Sequence, residues 1–133
     1  MKTAFALAAL TVAAVAWLEV AAAEGPAAAR SGDAAAGQDL FLDRCVTCHI
    51  PEGGGQGPSL KGVYGRPAAS VEGFAYSAAL KASGLTWTGP ALDRFLTDPG
   101  AAVPGTAMPI RITDAGQRAD LISYFKSKQQ EHR

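Results

Sequence analysis

Apolar residues recur at helical spacing in several stretches of the chain, and no segment alternates convincingly in the period of a half-buried strand. Gly37, Leu40, Phe41 and the stem of Arg44 share one face of a helix that Asp33 is placed to cap and that should run to about Val46. A short helix is expected from about Ser77 to Ser83. A third should start near Pro90, carry Leu92, Phe95 and Leu96, and end at Pro99. The last opens at Asp114, with Gln117 three residues on in a capping-box-like pattern, and aligns Arg118, Leu121, Ile122 and Phe125. Lys126 and Lys128 suit its negative dipole end. Between these helices lie two long stretches of loop chemistry, Ile50 to Gly73 and Gly100 to Thr113. The pattern predicts an all-α domain, and loops of that length imply something for them to wrap.

The N-terminal segment stands apart. Met1 and Lys2 precede an apolar run from Ala4 to Leu18, then Glu19 and Ala21-Ala22-Ala23, which reads as a secretory signal cleaved after Ala23. The run is short for a membrane span, which needs about 20 apolar residues, although an uncleaved anchor is the alternative. The expected organisation is a signal over 1–23, a flexible leader over 24–32, the folded domain over 33–128 and a tail over 129–133. The 133 residues carry 12 Lys+Arg and 12 Asp+Glu, and Lys2 and Glu19 leave together with the signal, so the mature domain is also neutral. Neutrality argues against nucleic-acid binding, which needs a basic stripe, and against electrostatic attachment to acidic membranes. Within the mature chain alanine and glycine outnumber the large apolar side chains. A bulky apolar cofactor would make good an interior short of filling.

Both cysteines fall in Cys45-Val46-Thr47-Cys48-His49. This C-x-x-C-H run is the attachment signature of a c-type haem: two thiols one helical turn apart add to the vinyl groups of one haem edge while the adjacent imidazole reaches the iron. A disulfide or a thioredoxin-like pair has the same C-x-x-C spacing, but no β-α-β pattern surrounds it. A zinc site needs four ligands, and the only other histidine is His132 near the C-terminus. With Met1 processed away, Met108 is the sole remaining methionine. A lone methionine is ordinarily core filler; here a rigid Val103-Pro-Gly-Thr-Ala-Met108-Pro109 loop makes it the candidate sixth iron ligand.

The chain resembles class I cytochrome c over about residues 32 to 128. The resemblance is carried by Gly37, Phe41, Cys45, Cys48, His49, Gly57-Pro58, Gly65-Arg66, Tyr76, Trp87, Pro99, Pro104-Gly105-Thr106, Met108 and the run Arg118 to Tyr124. It implies N- and C-terminal helices crossing at Gly37 and Phe41 against Leu121 and Tyr124, with long loops wrapped around one covalent haem c. It implies His49 and Met108 as axial ligands, with the Pro58 carbonyl accepting the imidazole N–H of His49. Arg66, Tyr76 and Trp87 would hold a haem propionate, and Thr106 belongs to the same cofactor-binding set. Three departures stand out. The His49–Pro58 loop is short and glycine-rich, Leu80 and Phe95 replace a polar pair common in relatives, and the lysine ring of mitochondrial forms is mostly missing.

The function this implies is a periplasmic, monomeric one-electron carrier and not an enzyme. A bc1-type complex would be its donor, and a terminal oxidase or reaction-centre-type complex its acceptor. Two alternatives remain: a haem enzyme or gas sensor with an open sixth site, for which Arg111 is the one nearby polar candidate, and a dedicated haem subunit of a periplasmic dehydrogenase. The neutral balance and the uncharged Gly100 to Ile110 stretch predict weak electrostatic steering of docking, which Arg44, Lys61, Lys81 and Arg111 would overturn if they cluster beside the haem edge.

Overall fold

The computed structural model describes residues 31–130. The expected signal, nearly all of the leader and His132 lie outside the described residues. Among the described residues five helices follow one another: α1 (Ala34–Arg44), α2 (Ala78–Ala82), α3 (Gly89–Thr97), α4 (Pro99–Ala102) and α5 (Ala115–Gln130). Among the described residues the only β-type pairing is an isolated antiparallel bridge between Pro67 and Thr86. The fold is all-α.

Each predicted start carries a cap. The Asp33 carboxylate accepts from the N–H groups of Ala35 and Ala36, Ser77 caps α2 at Leu80, Thr88 caps α3 at Ala91, and Asp114 accepts from Gln117. Caps of this kind contribute about 1 kcal/mol each. Pro99 departs from expectation. It ends α3 but also opens the four-residue α4, because Asp98 caps the Ala101 N–H at 3.1 Å and proline suits the first turn. Arg44 departs too: it is exposed and pairs with Asp43 at 3.5 Å instead of lying along the buried face of α1.

α1 and α5 cross at Gly37. A Cβ on Gly37 would run into the Asp120 carbonyl and come within 2.9 Å of Tyr124 Cβ, so only hydrogen lets the backbones meet. Gly32 makes a similar approach to the Ala119 carbonyl, and the Asp33 N–H donates to the Asp120 carboxylate at 2.7 Å. Phe41 packs on Tyr124 and Phe125, with ring centroids 5.5 and 6.1 Å away. Phe41, Leu121 and Phe125 continue into one core with Val63, Trp87, Leu92, Phe95, Leu96, Val103 and Ile112. Each such side chain contributes about 1.5–3 kcal/mol on burial. Cys45, Leu60, Leu80 and Met108 pack against this core but stay only half-buried, leaving apolar surface for another body to cover.

Candidate functional site

The C-x-x-C-H run begins where α1 ends. Cys45 is the C-cap, its N–H on the Phe41 carbonyl, and its own carbonyl accepts from Cys48 at 3.1 Å and His49 at 2.8 Å. This tight turn sets both thiols and the imidazole on consecutive steps of one short segment. The thiols are not bridged to each other. Burial pushes the Cys45 thiol up to about 11, the positive charge of Arg44 opposing the shift while Cys48 and Asp43 add to it.

The His49 ring is held on two sides. Its Nδ1 lies 2.7 Å from the Pro58 carbonyl oxygen, which can only accept, so the proton sits on Nδ1 and Nε2 keeps its lone pair for a metal. Gly57 presses on the same ring: a Cβ there would lie 2.5 Å from Cε1 and 2.6 Å from Nδ1. Glycine next to Pro58 is therefore a steric requirement of the imidazole's position.

Arg66 lies beside both Trp87 and Tyr76. Arg66 and Trp87 sit on adjoining extended segments, with the Trp87 N–H on the Arg66 carbonyl at 2.9 Å. The guanidinium donates through Nη1 to the Lys61 carbonyl and through Nη2 to the Ser59 carbonyl. Its Nε is buried without a partner, the one such side-chain atom among the described residues. Burial lowers the Arg66 pKa, and Tyr76 is close enough to oppose that shift. An orphaned donor on a partly desolvated cation suits a carboxylate, and a haem propionate is one. The Tyr76 hydroxyl accepts from the Val71 N–H at 3.2 Å, and its ring packs on Phe74.

Met108 sits half-buried against the core in the loop that follows α4, and its N–H reaches Thr106 Oγ1 at 3.5 Å. Phe95 packs edge-on to Trp87 with centroids 4.9 Å apart, and Leu80 lies against the same core, so the surroundings Met108 packs on are apolar. Arg111 is exposed and paired with Asp98 at 2.9 Å. Arg118 belongs to the helical stripe and to the run that carries the resemblance, but neither gives it a role at the site. Arg118 is buried, bonded to Asp93 at 2.7 Å and to the carbonyls of Ile112 and Thr113 at 2.9 Å each.

The residues present fit one haem: a paired thiol attachment, an imidazole with a free Nε2, a waiting propionate donor and half-buried apolar walls. Comparison with known proteins agrees. The family model described as Cytochrome c matches residues 34–129. Cytochrome c2 of Blastochloris viridis is 42% identical over 111 residues, covering 80% of this chain and 85% of the relative. Cytochrome c of Tetrahymena pyriformis is 48% identical over 98 residues, 72% of this chain and 89% of the relative. The solved structure of cytochrome cH from Methylobacterium extorquens superimposes with a TM-score of 0.68 at 47% identity, covering 72% of this chain and 99% of that one. Sequence, fold and site chemistry converge, and the chain belongs to the cytochrome c family as an electron-carrying class I c-type cytochrome with one haem c attached through Cys45 and Cys48.

Proposed function

We propose that the protein is a periplasmic one-electron carrier whose iron is held by His49 and Met108 and which shuttles between respiratory or photosynthetic complexes. Bound haem supplies an iron that gains and loses a single electron. The chain's own residues do the rest. Pro58 fixes the His49 tautomer and orientation, Gly57 blocks displacement of the ring, and Arg66 offers its free Nε–H to a propionate. Leu60, Leu80, Phe95 and Trp87 keep water from the pocket. The observation that carries the reading is the placement of Met108, half-buried against the hydrophobic core in a proline- and glycine-bounded loop. A soft thioether favours the reduced metal, and burial adds to that preference.

The Ala4–Leu18 run and the alanines after it support export, and no helix among the described residues is long and apolar enough to cross a membrane. Arg111, the charged residue nearest Met108 in sequence, is exposed and paired with Asp98.

Replacing the methionine tests the reading. Met108→Ala should keep its covalent haem, lose the weak red thioether-to-iron band, bind carbon monoxide when reduced, and drop in midpoint potential by more than about 59 mV, tenfold in the redox equilibrium. An unchanged ferric spectrum and potential would show that Met108 is not a ligand.

A further inference from the structure

Met108 has little support of its own. The one bond from its N–H is at the outer limit of length, and its neighbours Ala107, Pro109 and Ile110 are all exposed. A loop that must keep one thioether in place therefore depends on how its two ends are held. At the leading end Val103 is buried and its N–H bonds the Pro99 carbonyl at 2.8 Å.

The trailing end is held more firmly. Ile112 is 1% exposed and donates its N–H to the Leu96 carbonyl of α3 at 2.8 Å. The carbonyls of Ile112 and Thr113 both accept from Arg118 Nη1, and Arg118 Nε is bound to Asp93 of α3. A single guanidinium on α5 thus ties α3 to two consecutive carbonyls, four and five residues beyond Met108. Arginine suits the task because it is always charged and its donors are fixed in one plane, whereas an ammonium is a single point of charge. Arg111 of the same segment pairs with Asp98, but its side chain is 60% exposed, where an ion pair holds little in water.

We propose that Arg118 is a positioning residue for Met108, clamping the trailing end of the loop so that the thioether stays on the iron and limiting how often the loop opens to another ligand. The proposal rests on Met108 being the sixth ligand.

Cyanide binding to the ferric holoprotein reads the opening directly, since cyanide must wait for Met108 to leave. Arg118→Lys keeps a positive charge beside Asp93 but loses the planar fork. It should bind cyanide about tenfold faster than the parent, as expected for weakened hydrogen bonds to a charged group, while the urea midpoint of the helical signal moves far less. In a Met108→Ala background the same substitution should change the rate by less than about twofold, because there is no thioether left to position. Asp93→Asn, which spares the carbonyl bonds, should raise the rate about threefold.

A parental rate in Arg118→Lys, or an equal acceleration with and without Met108, would overturn the proposal. If Arg118→Lys fails to accumulate as holoprotein, Asp93→Asn decides: acceleration only in the presence of Met108 supports the clamp, and no acceleration refutes it. A Met108→Ala protein with an unaltered ferric spectrum would instead refute the ligand assignment, whatever Arg118 does.

Discussion

The segment that carries His49 and the loop that carries Met108 are restrained at different points. Around His49 the contacts fall on the ring itself: the Pro58 carbonyl lies 2.7 Å from Nδ1 and the Gly57 backbone presses on the ring, behind the turn from Cys45. Around Met108 they fall on the two ends of its loop, through buried Val103 and Ile112 and through Arg118 on α5. A ring held by direct contacts moves only if its own segment is broken, whereas a side chain held through the ends of its loop can leave while the rest of the fold persists. With His49 and Met108 as the proposed ligands, the difference would make the His49 side the firmer attachment and the Met108 side the place where ligation is adjustable.

The largest expected effect is loss of the haem itself. Cys45, Leu60, Leu80 and Met108 are left half-buried by protein atoms alone, so the chain expressed without haem attachment should be largely unfolded by circular dichroism. A helical haem-free product with a cooperative melt would show that the α1–α5 crossing stands without the cofactor. A pair of glycine substitutions sharpens the contrast next. Gly57→Ala places a methyl on the His49 ring and should lower global stability by about 1–3 kcal/mol in urea unfolding of the holoprotein. Gly105→Ala imposes a side chain where φ is +92° and a Cβ would meet Ala79 Cβ at 3.1 Å. Its cost should be about 1 kcal/mol, seen first as earlier loss of the red band and not as global unfolding. Equal losses of both signals in the two variants would erase the distinction between the sides.

The pattern of helices and the attachment run were legible because both are local. Asp33, Ser77 and Asp114 announce helix starts by side-chain chemistry within three residues, and Cys45 to His49 is contiguous. α4 was not legible, since four residues cannot show a period and Pro99 reads first as a terminator. Nor was the role of Arg118. Helical spacing puts it on the buried face, but its partners are carbonyls in a loop, and carbonyls carry no mark of residue type. The Arg66 orphan was half legible: the resemblance implied a propionate partner, but the capture of Nη1 and Nη2 by Lys61 and Ser59 emerged only from the folded loop.

The smallest expected effect concerns the surface over the Met108 side. Gly100 to Ile110 carries no charge, Arg44 and Arg111 are each paired with an aspartate, and Lys61 and Lys81 are the exposed cations left of the four whose clustering would overturn weak steering. Electron transfer with the physiological partner should therefore fall by less than about threefold between low and physiological ionic strength. A steep fall would show that charge, and not the apolar loop, guides the encounter.

The proposed ligation by Met108 can be watched directly, because the full chain has two methionines. In ferrous holoprotein labelled at the methionine methyl groups, a methyl held against the porphyrin would be shifted far upfield by the ring current. One strongly upfield methyl line that disappears in Met108→Ala is expected. A spectrum in which every methionine methyl keeps its ordinary position would contradict it.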